Sequence, residues 1–126
     1  QSFIYSLRRM LEPIKEHVDN NFNPLPEEYI KEFAPIRQKI NDLMKMSCEQ
    51  IETSRYENYR EILAEADACK DELSVIRKKH IDRIQHLNNN ELLKVSLLYL
   101  NVLQESQEFL SVMRHQLRAA KKFMEN

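Results

Sequence analysis

The chain contains no glycine in its 126 residues, although glycine makes up about 7% of an average protein. Glycine supplies positive-φ turns, tight hairpins and loops that cradle phosphate groups. Its absence argues against P-loops, dinucleotide-binding fingerprints and most β-rich architectures. The remaining composition is rich in Leu, Glu, Lys, Gln, Arg, Met and Ala, which are good helix formers. The sequence therefore predicts an all-α protein, and we expect residues 1–126 to form a single domain.

Apolar residues recur at steps of three and four over four segments, which predicts four helices. The segments cover about residues 2–20, 27–52, 55–87 and 90–124. Pro13 predicts a kink or a division of the first helix, and Pro35 suggests that residues 27–33 form a short separate turn. Because the connections are short, we expect an antiparallel up-down bundle.

Two boundaries leave alternatives open. Ser54 and Glu57 have the spacing of a capping box, so a helix could begin at Ser54. Alternatively, the second and third helices continue through residues 52–54. An Asn within residues 88–90 can cap the last helix.

The last helix carries an uninterrupted heptad-like seam. Its members are Leu92, Ser96, Tyr99, Leu103, Ser106, Leu110, Met113, Leu117, Ala120 and Met124. The apolar run over residues 92–103 ends at Gln104-Glu105, whereas a membrane span needs about 20 apolar residues. This run therefore predicts a helix face in the centre of a bundle, and a second row of Leu93, Leu97 and Leu100 predicts an interaction face.

The charge balance is near neutral, with a formal net charge of −1, and it predicts no nucleic-acid partner. Basic residues gather at 77–80 and at 118–122, where we expect solvated helix faces or ends. Cys48 and Cys69 have no metal-motif spacing, which favours free thiols in a reducing compartment.

Acidic residues suggest one candidate metal site. Asp67 and Asp71 stand one helical turn apart, and a hard cation could bridge them. With Glu105 and Glu108 from the last helix they could form a carboxylate-rich site, and the alternative is a solvated acidic face. The paired Glu-x-x-His pattern of di-iron bundles is absent.

The sequence gives no enzyme signature. His80 lies on the apolar seam of the third helix, where a buried, hydrogen-bonded structural histidine is the favoured interpretation. Cys69, Ser96 and Ser106 are expected to be small core residues. No nucleophile stands beside a base and an orienting group, so no catalytic residue and no obligatory cofactor are expected.

Two stretches of the sequence carry a family resemblance: "KDELSVIRKKHIDRIQ" and "LLYLNVLQESQEFLSVMRHQLRAAKKF". Together with "YSLRRMLEPIKEHVDNNFNPL" they resemble the cytosolic C-terminal extension of bacterial inorganic phosphate transporters of the Pit type, especially those of the Bacteroidetes. The chain is also similar to PhoU-type helical domains.

That resemblance implies a regulatory or assembly domain on the cytosolic side of the inner membrane, excised from a longer transporter. It would act by docking a helix face against the transmembrane domain or a second copy. The PhoU family often carries metal-binding acidic clusters, and Asp67 and Asp71 match their spacing. Glu105, however, is followed four residues later by Phe109 rather than by an acid. A dimerisation module without a phosphate role and a metal-binding bundle remain the alternatives.

Overall fold

The computed structural model describes Arg9, Glu12 and residues 25–125. This part contains three α-helices: α1 (Glu27–Thr53), α2 (Tyr59–Gln85) and α3 (Asn90–Glu125). It contains no strand, which confirms the all-α prediction for the described residues. The helix predicted over 2–20 lies outside them, apart from Arg9 and Glu12, which are helical. The count of four helices therefore stays a prediction.

α1 ends at a left-handed residue rather than running into α2. Ser54 has φ 55° and donates its backbone N–H to the carbonyl of Ile51, while Arg55 donates to that of Gln50. Such a C-terminal motif usually takes glycine, which this chain lacks. The break at residues 54–58 is thus the correct alternative. The capping-box prediction is wrong, because Ser54 closes α1 and α2 starts only at Tyr59.

Pro35 does not divide α1. The helix runs continuously from Glu27 to Thr53, so the separate turn predicted over 27–33 is wrong. Pro35 is exposed, and the carbonyl group four residues before it lies on the same side of the helix. Water can therefore satisfy the acceptor that the missing proline N–H leaves unpaired.

Asn89 caps α3, as the sequence predicted for this region. Its side-chain Oδ1 accepts hydrogen bonds from the backbone N–H groups of Glu91 and Leu92, at 2.9 and 3.3 Å. These bonds satisfy donors that the first turn of a helix leaves free.

Cross-helix pairs give the directions of the helices. These pairs are Glu28–Arg83 and Lys39–Glu72 between α1 and α2, and Ser74–Gln107 and Asp67–Arg114 between α2 and α3. Between the two helices of each set, the residue numbers of one helix rise along the contact while those of the other helix fall. α2 therefore runs opposite to both α1 and α3, and all three helices contact one another.

The seam of α3 forms the centre of the core. Eight of its ten predicted members are buried, and only Leu92 and Met124 at the two ends are exposed, at 38% and 53%. α1 and α2 contribute the other large core residues, among them Phe33, Leu43 and Leu73. No helix in the described part of the chain is long and apolar enough to cross a membrane.

Candidate functional site

A group of aromatic and charged side chains lies where α1 begins, α2 ends and α3 begins. Its members are Tyr29 and Glu32 from α1, His80 and Arg83 from α2, and Ser96 and Tyr99 from α3. We call this group the aromatic–charged cluster. It is the place where all three helices exchange hydrogen bonds through side chains.

Three rings form the buried half of the cluster. Tyr29 and Tyr99 stack with their centroids 4.6 Å apart and their planes 7° from parallel. His80 meets both rings edge-on, at 4.8 Å from each. Both tyrosine hydroxyls have partners: Tyr29 shares a 2.9 Å hydrogen bond with Ser96 Oγ, and Tyr99 donates to Glu32 Oε1 at 2.8 Å.

The charged half of the cluster is centred on Glu32. Its Oε1 also accepts a 2.8 Å hydrogen bond from Arg83 Nη2, and Lys79 Nζ lies 3.4 Å from Oε2. Burial raises the pKa of Glu32, but the hydrogen bonds from Arg83 and Tyr99 outweigh it and hold this pKa below its ordinary value. The guanidinium of Arg83 also lies over the ring of Tyr29, 4.8 Å from its centroid. The carboxylate is therefore ionised and neutralised within the cluster.

His80 is completely buried. Its Nε2 lies 2.7 Å from the carbonyl oxygen of Ser96, and because a carbonyl only accepts, Nε2 carries the proton. Nδ1 is then an acceptor, and it has no partner among the described residues. Burial lowers the pKa of His80 below its ordinary value. The prediction of a buried, hydrogen-bonded histidine is confirmed.

The cluster holds the beginning of α3 in place. Ser96 and Tyr99 face it from the first turns of α3, so their bonds fix that part of the helix against α1 and α2. The sequence identified His80, Ser96 and Tyr99 as seam residues. It gave no indication of Glu32 or Arg83, because these residues stand 51 positions apart and no local pattern joins them.

The four predicted metal ligands are not brought together. Among the described residues, no three His, Cys, Asp or Glu side chains lie close enough to hold a metal ion. Asp67 instead pairs with Arg114, whose Nε lies 3.0 Å from Oδ1. At the level of Glu105 and Glu108, Gln107 of α3 reaches α2 and donates to Lys70 O and Ser74 Oγ.

Asp71 and Glu108 are exposed and Glu105 is half-buried. The sequence pattern put Glu105 and Glu108 beside the seam at Ser106, but it did not fix the level at which α2 and α3 meet. That level pairs residue 67 with residue 114, about two helical turns from Glu108. Asp67 therefore lies too far along the helix axis from Glu108. Asp71 is nearer to the level of Glu108, because residue 74 pairs with residue 107, but both of these side chains are exposed.

The predicted leucine face is partly open to solvent. Leu97 is 46% exposed, and Leu93 and Leu100 are half-buried and are not among the described residues that pack in or against the core cluster. Ile81 of α2 is 38% exposed. It stands seven positions from Ser74, so it lies on the side of α2 that faces α3.

In the antiparallel register set by Ser74–Gln107 and Asp67–Arg114, Ile81 lies near the level of Leu100. Leu100 and Leu93 stand seven and fourteen positions before Gln107, on the side of α3 that faces α2. We call Ile81, Leu93, Leu97 and Leu100 the apolar strip. It lies along the contact between the two helices, next to the aromatic–charged cluster.

Comparison of the chain with protein-family profiles, with curated proteins and with solved structures finds no match.

Proposed function

We propose that this chain is a non-catalytic docking domain whose apolar strip receives an apolar helix of a partner. The single observation that carries the proposal is the exposure of Leu97, at 46%, within a row of aliphatic side chains that do not join the core. A groove lined by aliphatic residues at helical spacing is the usual seat for an apolar helix face.

The neighbouring cluster supports this role. Ser96 and Tyr99 are each held by a hydrogen bond to α1, and they alternate along α3 with Leu97 and Leu100. The turns that display the strip are thus fixed before a partner arrives, and a preorganised surface loses less entropy on binding.

For the partner, we propose the transmembrane domain of an inorganic phosphate transporter, contacted from the cytosolic side of the inner membrane. This part rests on the resemblance to the extension of Pit-type transporters and to PhoU-type domains. Occupancy of the strip would change transport, so the chain would be a regulatory or assembly domain.

The test is Leu97→Glu in the full-length product of the gene, with Val75→Glu as the matched control. Val75 is an exposed aliphatic residue of α2, at 67%, and it lies away from the strip because it follows the buried Leu73 by two positions. Burial of a leucine side chain contributes about 1.5–3 kcal/mol, so L97E should weaken docking by at least about tenfold. V75E should leave it within about twofold.

Two readouts check this expectation: co-purification of the transporter's membrane domain in mild detergent, and the rate of phosphate uptake by cells. Thermal unfolding of both variants shows that the bundle remains folded. Equal retention of the membrane domain by both variants, with unchanged uptake, would contradict the proposal.

A homodimer through the same strip is the second candidate, because a self-complementary aliphatic row can pair two copies about a two-fold axis. Sedimentation equilibrium separates the two partners. A concentration-dependent dimer that L97E abolishes and V75E preserves, without capture of the membrane domain, would favour a dimerisation module.

A further inference from the structure

A second surface feature lies at the end of the bundle opposite the aromatic–charged cluster. It is a groove of about 510 Å³ between the start of α2 and the end of α3. The described residues that line it are Tyr59, His115, Arg118, Ala119, Lys121 and Lys122. Three of them are permanently cationic and one is an imidazole, and none is acidic. We call this feature the basic groove.

Three basic residues of the groove share one face of α3. His115, Arg118 and Lys122 stand three and four positions apart, so they follow one another along that face. The like charges of Arg118 and Lys122 repel at this spacing, and the C-terminal end of the helix dipole offsets only part of the repulsion. One turn earlier, Arg114 pairs with Asp67, so this carboxylate is already neutralised.

The start of α2 contributes the ring of Tyr59 to the groove. The backbone N–H of Tyr59 is bonded to the carbonyl of Tyr56, and Glu61 places a carboxylate in the same first turn of the helix. The ring of Tyr59 lies beneath Lys121, whose Nζ is 5.0 Å from its centroid.

Next to Tyr59, the hydroxyl of Tyr56 is buried and has no partner among the described residues. The two rings meet edge-on at 6.4 Å. The described lining of the groove thus combines three cationic side chains with one aromatic ring, and Tyr56 is not part of that lining.

We propose that the basic groove binds a small molecule that carries a phosphate group. The dianion lies among Arg118, Lys121 and Lys122, where guanidinium and ammonium donors match phosphate oxygens. Pockets of about 300–1,000 Å³ accommodate organic ligands, so the remaining space takes an organic body against Tyr59. The proposal is independent of the docking function, because the groove and the apolar strip lie at opposite ends of the bundle.

The experiment is calorimetric titration of the chain with inorganic phosphate and, separately, with AMP, at about 0.15 M salt to screen weak surface attraction. The test variant is Arg118→Gln with Lys122→Gln. The control is Lys45→Gln with Lys78→Gln, which removes the same charge from exposed positions outside the groove. Thermal unfolding of both variants verifies that the fold is intact.

We expect saturable AMP binding that the test variant weakens at least about tenfold and the control changes by less than about twofold. AMP binding at least about tenfold tighter than phosphate binding supports the place for an organic body. If AMP and inorganic phosphate bind with equal affinity, the groove binds the phosphate group, and the proposed contact with an organic part of the ligand is wrong. The proposal is overturned if neither ligand saturates at about 10 mM, or if both double variants weaken binding equally.

Discussion

Tyr29 and Tyr99 allow a sharp test of the aromatic–charged cluster, because they are stacked on each other and differ in what their hydroxyls bind. Both are buried, at 4% and 0% exposure. Tyr99 donates to the carboxylate of Glu32, whereas Tyr29 bonds the neutral hydroxyl of Ser96. Replacement of either tyrosine by phenylalanine removes one oxygen and leaves the ring stack in place.

The two substitutions should differ in cost. A hydrogen bond to a charged group contributes about 1.5–3 kcal/mol, and a neutral one about 0.5–1.5 kcal/mol. The cost of Tyr99→Phe in free energy of unfolding should lie near the lower end of the range for charged groups, at about 1.5–2 kcal/mol. The reason is that Glu32 keeps Arg83 and Lys79 as partners.

Tyr29→Phe should cost about 0.5–1 kcal/mol. The substitution leaves the hydroxyl of Ser96 without its tyrosine partner, and this hydroxyl can instead donate to a backbone carbonyl of α3. Ser106 already makes such a bond, donating to Val102 O at 2.7 Å.

Urea unfolding measures the difference. With a slope of about 1–3 kcal/mol per molar urea, Tyr99→Phe should lower the midpoint by about 1 M and Tyr29→Phe by about half as much or less. The slope itself should not change. If Tyr29→Phe costs as much as Tyr99→Phe, or if Tyr99→Phe costs less than about 0.5 kcal/mol, then the ionised Glu32 is not the centre of the cluster.

Three further predictions concern the core. Because burial lowers the pKa of His80, the unfolded chain binds a proton at higher pH than the folded one. The free energy of unfolding should therefore fall as pH drops below the ordinary value of 6.5, and His80→Gln should flatten this slope. Burial raises the pKa of Cys69 to about 11 from an ordinary 9.0, so its reaction with a thiol reagent at about pH 8 should be at least about 100-fold slower than after urea unfolding. Leu103→Ala should cost about 2.7–5 kcal/mol in denaturant titration, whereas Leu92→Ala, at the exposed end of the seam, should cost less than about 1 kcal/mol.

The helices of the described part could be predicted from the sequence because their signals are local. The seam of α3 needs only steps of three and four along one helix, and the structure buries all of it except the two ends. The cap by Asn89 also depends on residues two and three positions away. Local rules failed where context decided: Ser54 matches the start of a helix by spacing, but it closes α1 in a left-handed conformation.

The candidate sites could be predicted only in part, because they depend on how helices align. Periodicity identifies which face of α3 is apolar, so the row of Leu93, Leu97 and Leu100 could be found. It does not fix the level at which α2 meets α3, so the carboxylates of Asp67 and Glu108 were wrongly expected to lie together. The bond between Glu32 and Arg83 could not be predicted for the same reason, because it depends on how α1 and α2 align as antiparallel helices.

The most direct test of the docking function is photo-crosslinking at the apolar strip in intact cells. A benzophenone amino acid replaces Leu97 in the full-length gene product, and the same residue at Val75 is the control. Our account predicts that illumination joins position 97 to the membrane domain of a phosphate transporter and leaves position 75 without that product. Our account would be contradicted by crosslinks of equal yield at both positions, or by the absence of any crosslink between position 97 and the transporter.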